Sequence, residues 1–407
     1  RSAMRPTGPR LVLLVLDGLG IGAQPDAPTD EANADTLRSI RRSVSDRALP
    51  NLADLGLFAV ADMETRNDIT AGRSSLGYPG ADTYLGHLVM LGVPPSHVGS
   101  SLLAETADAL AIALRDEGFE VESAADGGVL VVDGGAVIHD NVEAAPGLGI
   151  NVTASLDEMG WERVVAAATV VRRVVRNPRV IAVGGHGHRL SDALDHLVER
   201  SPGQIGIDTP GLGVYRRMWQ VRHLPLEVAA ESMVTARAYT AGFVVTLLGK
   251  AADVVPGPAT LRDASIPTED VIDRLVASLA EPGAGVIMAN VQETDLAGHL
   301  RDADRFAAVL REVDGAIPRI IDALSGDDVL IVTADHGNDP CRPGSNHSRE
   351  YVPLLAAGDG IGPAALGTRD SLADIGATVA DLLRLEPLAD GEPGRSFAET
   401  LRRQHAE

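Results

Sequence analysis

Carboxylate and imidazole side chains occur in two short groups in the last third of the chain. Asp335 and His336 are adjacent, and His347 follows eleven residues after His336. Asp295 and His299 are four residues apart, which places both side chains on one face if a helical turn forms there. Mixed carboxylate and imidazole ligands suit Mn²⁺ or Zn²⁺. Each group alone is equally typical of a helix cap beside a surface histidine, so the metal interpretation requires the groups to meet in space.

Two further residues are candidates for the same centre. Asp17 follows an apolar run and precedes a glycine, which is also ordinary turn chemistry. Thr83 lies in the glycine-framed segment 80–87. A threonine hydroxyl is a poor nucleophile in water, but coordination to a dication lowers its pKa and presents its oxygen to phosphorus. A threonine in a turn or at a helix cap is the alternative interpretation.

Buried strands that alternate with helices would bring these residues together. Apolar runs at 11–16, 285–291 and 328–333 predict such strands, and each run is followed by one of the three aspartates. Helical spacing of apolar residues predicts a long helix over 302–324. The alternation indicates an α/β fold with a parallel-rich central sheet flanked by helices, and such sheets bind ligands at the carboxyl ends of their strands.

The middle of the chain has a different texture. Residues 96–224 contain repeated glycine-rich turns and an arginine cluster over 172–179. We interpret this segment as an inserted, smaller α/β cap domain that determines substrate specificity. Residues 1–95 and 225–407 would then form a discontinuous, metal-binding catalytic core. We expect motion of the cap to close the site, because a phosphoryl-enzyme must be kept from water.

The composition limits the class of partner. The chain has 407 residues, with 35 Lys and Arg against 57 Asp and Glu, and its formal charge of −22 argues against a nucleic-acid or anionic-membrane surface. The longest apolar run, residues 11–16, is too short to span a bilayer. The single cysteine, Cys341, fits a reducing compartment. We therefore expect a cytoplasmic enzyme with no nucleic-acid partner and no membrane association, and the sequence does not indicate its oligomeric state.

Four motifs occur in the order seen in phosphopentomutases of the alkaline phosphatase superfamily, and the chain resembles that family. The motifs are Asp17-Gly-Leu-Gly-Ile-Gly-Ala-Gln-Pro-Asp-Ala27, Asp82-Thr-Tyr-Leu-Gly-His87, Asp295-Leu-Ala-Gly-His299, and Asp335-His-Gly-Asn-Asp-Pro340 continued by Asn346-His-Ser-Arg-Glu-Tyr-Val-Pro-Leu-Leu355. Cofactor-independent phosphoglycerate mutases are more distant relatives. The resemblance implies an alkaline-phosphatase-like core and a small phosphorylated sugar as substrate.

The implied activity is that of a phosphosugar mutase, which would interconvert ribose or deoxyribose 1-phosphate and 5-phosphate through a phosphothreonine. One alternative is a metal-dependent phosphatase or phosphodiesterase, in which water accepts the phosphoryl group. A mutase for another phosphorylated metabolite and an inactive sugar-phosphate-binding protein are the others.

The resemblance also implies which residues act. Two metal ions would be bound, the first by four residues and the second by three: Asp17, Thr83, Asp335 and His336, then Asp295, His299 and His347. Thr83 would carry the phosphoryl group after priming by a sugar bisphosphate. Mn²⁺ is the expected metal, with Mg²⁺ or Zn²⁺ as alternatives. Asp140 resembles the family's sugar-contacting aspartate, and Lys250 resembles a lysine that follows a core strand.

The chain departs from the family mainly where substrate is recognised. Ala81 and Leu88 stand where phosphopentomutases usually have a lysine and a tryptophan. The arginine-rich cap motif of the family has no clear counterpart. Arg216, Arg217 and Arg222 are candidates to replace it, and solvated surface arginines are the alternative. The catalytic motifs are therefore closer to the family than the specificity motifs are.

Three other residues have no firm role in the sequence. His186 and His188 could suggest a metal site, but Asp192 is the only carboxylate that we identify as a partner. We therefore expect a surface or substrate-facing loop there. Asp26 belongs to the first motif, and we predict for it only a turn or a helix cap.

Overall fold

The computed structural model of the chain describes residues 6–42, 46–64, 66–94, 99–142, 144–214, 218–226, 230–343 and 346–402. Its strands are, in chain order, β1 (Arg10–Leu16), β2 (Thr70–Ser74), β3 (Val121–Ala124), β4 (Val129–Val132), β5 (Ala136–Asp140), β6 (Gly149–Ser155), β7 (Arg179–Gly185), β8 (Leu197–Ser201), β9 (Gln204–Ile207), β10 (Gln220–Pro225), β11 (Val244–Gly249), β12 (Leu261–Asp263), β13 (Gly285–Val291), β14 (Val329–Thr333), β15 (Val352–Ala357) and β16 (Ala364–Arg369).

The α-helices are α1 (Thr36–Ile40), α2 (Pro50–Asp54), α3 (Leu57–Ala61), α4 (Thr83–Met90), α5 (Leu103–Asp116), α6 (Trp161–Val174), α7 (Leu190–Asp195), α8 (Thr209–Leu212), α9 (Val234–Thr240), α10 (Lys250–Val254), α11 (Thr268–Ala280), α12 (Glu293–His299), α13 (Ala303–Ala323), α14 (Ala373–Leu382) and α15 (Ala398–Arg402). Single 3-10 turns lie at Thr29–Glu31, Asp46–Ala48, Ala125–Gly127 and Ala230–Ser232. Within the described residues, every helix is too short or too polar to span a lipid bilayer.

The chain divides into two compact units. Residues 1–95 and 229–407 form the first unit, and residues 96–228 form the second unit. Strand β10 belongs to the sheet of the second unit, where it pairs with β7. The roles of catalytic core and specificity cap that we assigned to these parts of the chain stay predictions.

The first unit is organised around an eight-stranded sheet with the strand order β12-β11-β13-β1-β14-β15-β2-β16. Neighbouring strands are parallel except at β15, which is antiparallel to both β14 and β2. Helices α9 and α11 both contact β11 and β13, and α11 packs against α13 while α9 packs against α14. The predicted α/β class with a parallel-rich sheet is therefore confirmed.

Strand β1 lies at the centre of this sheet because its sequence is apolar without interruption. All six residues from Leu11 to Leu16 are fully buried, and β1 pairs in parallel with β13 on one side and β14 on the other. A strand that is buried on both faces needs no polar alternation. Burying each Leu or Val side chain contributes about 1.5–3 kcal/mol. This run consequently defines the core of the unit.

Helix α13 shows how sequence details determine local structure. Its buried residues include Phe306, Leu310, Val313 and Ile317, which follow the predicted helical spacing. Pro318, inside the helix, has no backbone N–H to donate to the carbonyl of Asp314 four residues earlier. The amide of Asn51 donates to that carbonyl instead, at 3.0 Å, and so links α13 to α2.

The second unit has its own sheet and core. Its six strands have the order β10-β7-β6-β5-β4-β3, with β6 and β7 parallel and the other pairs antiparallel, and β8 pairs with β9 separately. Alternating residues of β5 point to opposite faces, as a strand requires. Ala136 and Ile138 pack in the larger core cluster with residues of α5 and α6, whereas Val137 joins a smaller cluster with Ala193 and Ile207.

The first-unit sheet collects the chemically interesting residues at one edge. Strands β11, β13, β1 and β14 are adjacent and parallel, so their carboxyl ends meet there. Asp17 directly follows β1, and Lys250 directly follows β11. Asp335 lies two residues beyond β14, and Asp295 lies in α12 just after β13. Strand order therefore accounts for residues from four distant parts of the chain lying together.

Candidate active site and metal centre

The first group at this edge consists of Asp17, Asp335 and His336, which are all fully buried. One ligand atom from each lies within 4.8 Å of the others. His336 Nε2 is 3.5 Å from Asp17 Oδ1 and 3.3 Å from Asp335 Oδ2. The hydroxyl of Thr83 donates to Asp335 Oδ2 at 2.6 Å. The structure thus brings together the four residues that we expected around the first metal ion.

The hydrogen bonding of this group fits a divalent cation. Asp17 Oδ1 and His336 Nε2 are buried and have no hydrogen-bond partner among the described residues. Nδ1 of His336 lies 3.1 Å from the carbonyl of Gly337 and donates to it, so the lone pair of Nε2 faces the carboxylates. A buried polar atom without a partner costs about 1–3 kcal/mol. A cation bound between these atoms would remove that cost and their mutual repulsion.

The protonation states point in the same direction. Burial, and then the neighbouring His347, lower the pKa of His336 to about 3, so its imidazole is neutral and able to bind metal. Burial, and then the Asp335 carboxylate, raise the pKa of Asp17. Like charges are therefore crowded in this group, and a bound dication would favour the ionised form of both carboxyls.

The second group consists of Asp295, His299 and His347, again with ligand atoms within 4.8 Å of one another. His347 Nε2 is 3.3 Å from Asp295 Oδ1, and His299 Nε2 is 3.4 Å from Asp295 Oδ2. The two Nε2 atoms are 3.1 Å apart. Three ligand atoms that converge on a small volume suit a divalent metal. The rings of His336 and His347 stack with centroids 3.7 Å apart, so the two groups are in contact.

Lys250 connects the two groups electrostatically. Its Nζ lies 2.9 Å from Asp17 Oδ2 and 3.1 Å from Asp295 Oδ2. Burial disfavours the ammonium, but Asp17, Asp295 and Asp335 outweigh that effect and raise the pKa of Lys250. The lysine therefore stays charged and offsets part of the carboxylate charge. The predicted contact with substrate stays a prediction.

Thr83 is held in place by the start of helix α4, of which it is the first residue. Asp82 caps this helix by accepting a hydrogen bond from the backbone N–H of Leu85 at 3.0 Å. A side chain on Gly86 would place its Cβ 2.6 Å from the carbonyl oxygen of Asp335. Glycine at this position therefore allows α4 to approach the metal-binding loop closely enough for Thr83 to reach Asp335.

Two buried asparagines support the ligands, and we assigned neither of them a role from the sequence. Asn290, on β13, donates its side-chain amide to Asp17 Oδ2 and contacts His87 Nε2, both at 3.0 Å. Asn338 donates to Asp295 Oδ1 at 2.8 Å. Hydrogen bonds of this kind orient metal ligands. A polar residue inside the apolar run 285–291 was the available signal for Asn290, and Asn338 lies inside a motif that we had recognised.

Comparison with known proteins agrees with this geometry. The family model of the metalloenzyme superfamily matches residues 9–387. The phosphopentomutase of Symbiobacterium thermophilum is 32% identical over 421 residues of alignment, which cover 97% of this chain and 99% of the relative. The phosphopentomutase of Alkaliphilus metalliredigens is 29% identical over 95% of this chain and 98% of its own length. The chain belongs to the phosphopentomutase family of the metalloenzyme superfamily. It is accordingly a metal-dependent phosphomutase.

A solved structure supports the fold of this family member independently. Phosphoglycerate mutase from Leishmania mexicana aligns with a TM-score of 0.51 at 15% sequence identity, over 95% of this chain and 97% of the mutase. At that identity the likeness concerns the fold alone. It agrees with the more distant relationship to phosphoglycerate mutases that the motifs indicate.

The second unit of this phosphopentomutase family member contains Asp140, which we predicted to contact sugar. Asp140 is buried at the end of β5, where its carboxylate accepts hydrogen bonds from the backbone N–H groups of Leu103 at 2.8 Å and Ile205 at 3.2 Å. Burial raises its pKa to about 6. These contacts are structural, and a sugar contact by Asp140 stays a prediction.

The structure corrects our description of the histidine loop. His186 has a carboxylate partner that we did not identify, because its Nδ1 lies 2.7 Å from Asp157 Oδ1. Asp192 instead accepts from the backbone N–H of Arg189 at the start of its own helix. Within the described residues, neither His186 nor His188 belongs to a group with metal-binding spacing.

Two other sequence candidates have different outcomes. Arg222 is exposed on β10, whereas Arg216 and Arg217 lie outside the described residues. Asp26, for which we predicted only a turn or a cap, forms an ion pair with Arg349 at 2.7 Å. The role of this pair is developed below.

Proposed function

We propose that the chain is a phosphopentomutase that interconverts ribose or deoxyribose 1-phosphate and 5-phosphate through phospho-Thr83 at a two-metal site. The observation that carries the proposal is the Thr83 hydroxyl, which lies 2.6 Å from Asp335 at the start of a helix. The names of the family members that match over almost the whole chain support a pentose phosphate as the small-molecule substrate.

The chain's own residues suit a phosphorylated threonine. A phosphate on Thr83 would lie at the N-terminus of α4, where free backbone N–H groups and the helix dipole favour negative charge. Lys250 adds a fixed positive charge beside Asp17 and Asp295. Two bound divalent ions, for which we propose Mn²⁺ because its ligands here are carboxylates and imidazoles, would neutralise phosphate oxygens and stabilise the attacking and leaving oxygens.

Phosphoryl transfer through Thr83 gives a balanced cycle. In priming, a sugar bisphosphate gives one phosphoryl group to Thr83 Oγ, the threonine loses its proton, and the sugar oxygen gains one. Phospho-Thr83 then gives that group to the free hydroxyl of a sugar monophosphate and forms the bisphosphate. Return of the other phosphoryl group to Thr83 releases the isomeric monophosphate.

The test combines product analysis with mass spectrometry. The protein with Mn²⁺ and a catalytic amount of ribose 1,5-bisphosphate is given ribose or deoxyribose 5-phosphate, and phosphorus NMR follows the product. We expect interconversion, and one added phosphate on the peptide that contains Thr83. Thr83→Ala should abolish both while leaving most metal binding in place. Thr83→Ser should retain some activity because it keeps the hydroxyl.

Thr169→Ala is a matched control. Thr169 is exposed on α6, and its hydroxyl only donates to the carbonyl of Val165. This variant should behave as the parent. Label on another residue, or a Thr83→Ala variant with near-parent rate, would show that the nucleophile is wrong. Release of inorganic phosphate in place of the isomeric sugar phosphate would identify a phosphatase.

A further inference from the structure

The guanidinium of Arg349 joins two segments that are far apart in sequence. Its Nε and Nη2 atoms donate in parallel to Asp26 Oδ1 at 2.9 Å and Asp26 Oδ2 at 2.7 Å. Its Nη1 donates to the carbonyl of Gly80 at 2.8 Å and also to the carbonyl of Tyr78. The Arg349 backbone N–H donates to Glu31 Oε2 at 2.7 Å. One residue therefore fixes the loop after β1 to the loop before α4.

The loop that Arg349 contacts carries the proposed nucleophile. Gly80 lies three residues before Thr83, and its φ of +72° is a conformation that favours glycine. The Tyr78 hydroxyl lies 3.0 Å from the carbonyl of Asp82 and 2.9 Å from that of Asp335. The carbonyls that face Arg349 and the hydroxyl that faces Asp335 thus belong to one short turn. Displacement of this turn would move Thr83 relative to Asp335.

The arrangement requires the shape of arginine as well as its charge. The planar guanidinium presents one edge to a carboxylate while another N–H pair points elsewhere, which a lysine ammonium cannot reproduce. Asp26 is 64% exposed at its side chain, whereas that of Arg349 is only 10% exposed. The aspartate therefore lies at the surface and orients an arginine that reaches inward to the Thr83 turn.

We propose that Arg349, oriented by Asp26, is a positioning residue that holds the Thr83 turn in the geometry needed for phosphoryl transfer. This inference rests on the proposed function of Thr83. Arg349 does not touch the metal-binding atoms, so its effect should concern the rate of transfer and not metal binding. Loss of positioning groups costs about 10–100-fold, and a misplacement of about 1 Å costs about 100-fold.

The test uses Arg349→Lys, which keeps the charge, and Asp26→Asn, which keeps the size at an exposed position. Each is assayed at saturating Mn²⁺ for kcat and KM separately, for the rate of Thr83 phosphorylation by ribose 1,5-bisphosphate, and for metal content. We expect kcat and the phosphorylation rate of Arg349→Lys to fall about 10–100-fold with KM within about threefold of the parent value. Asp26→Asn should show a smaller fall of the same kind.

Arg342→Lys is the matched control, because Arg342 lies nearby in sequence and contacts Asp30, whose side chain is 82% exposed. This variant should have parent kcat and parent phosphorylation rate. Parent-like kcat in both Arg349→Lys and Asp26→Asn would overturn the inference, and so would lost metal or a raised KM with unchanged kcat. If Arg349→Lys does not fold, Asp26→Asn decides. A parent enzyme that is not phosphorylated on Thr83 would instead refute the proposed function.

Discussion

Glu350 is a buried carboxyl whose titration should be visible in the stability of the first unit. It is fully buried, and four groups donate to it: the N–H of Gly22 at 3.2 Å, the N–H and hydroxyl of Thr36 at 2.9 and 2.8 Å, and the hydroxyl of Ser348 at 2.7 Å. Burial is the largest influence and raises the pKa of Glu350 from 4.5 to about 7, although these hydrogen bonds oppose it. Glu350→Gln removes the titration and nearly keeps the shape.

The sign follows from the raised pKa. The folded state binds the proton more tightly than the unfolded state, so the stabilisation is fully present below pH 4.5 and is lost as the pH rises through about 7. Each pKa unit corresponds to ~1.4 kcal/mol, so the full effect is ~3 kcal/mol. Between about pH 5.5 and about pH 8 the parent should lose roughly 2 kcal/mol of unfolding free energy relative to Glu350→Gln. The constant cost of replacing an accepting oxygen by a donating amide cancels in this difference.

The assay is urea unfolding at several pH values with a chelator present, so that metal binding adds no pH dependence of its own. Trp161 and Trp219 both belong to the second unit, so tryptophan fluorescence reports its transition while circular dichroism reports both units. Glu281→Gln, exposed at the end of α11, is the control and should follow the parent at every pH. A difference between parent and Glu350→Gln that does not change from pH 5.5 to pH 8 would refute the reasoning.

Two further predictions concern a metal ligand and the second unit. Asp335→Asn keeps the shape but removes a ligand charge, so kcat should fall by orders of magnitude, whereas Asp30→Asn at the surface should be silent; full activity after exhaustive chelation would contradict the metal requirement. Burial lowers the pKa of His139 from 6.5 to about 4, so its stabilisation is present above pH 6.5 and is lost as the pH falls through about 4. His139→Gln should therefore make the tryptophan-detected transition less acid-sensitive, by ~3 kcal/mol in full, and equal acid sensitivity would count against a buried neutral imidazole.

The centre of the fold was predictable because it combines strong, local signals. The apolar run 285–291 coincides with β13, and the predicted helix 302–324 differs from α13 by one residue at each end. Both signals come from burial, which selects apolar side chains at consecutive or helical positions. Strand β15 was not predicted as antiparallel, because pairing direction depends on the path of the chain and leaves no mark in composition. Individual elements of the second unit, whose strands are short, were not predicted either.

The candidate site divides along the same line. Ligand types and motif spacing indicated the seven residues that the structure collects at the sheet edge. The residues that orient them were missed, because their contacts join positions 203 residues apart for Asn290 with His87 and 323 apart for Asp26 with Arg349. No local pattern encodes such a pairing. Asp26 therefore appeared to be a turn residue although its partner lies in the last motif.

The charges of the site explain how a protein with a formal charge of −22 can bind phosphate. Asp17, Asp295 and Asp335 carry three negative charges and Lys250 carries one positive charge, so these four side chains have a formal charge of −2. That charge would repel a phosphate dianion. The two divalent ions of the proposed function change it to +2, which matches the dianion in magnitude and opposes it in sign. Metal binding and phosphate binding should therefore be coupled, and the acidic protein should have affinity for sugar phosphate only in its metal-bound form.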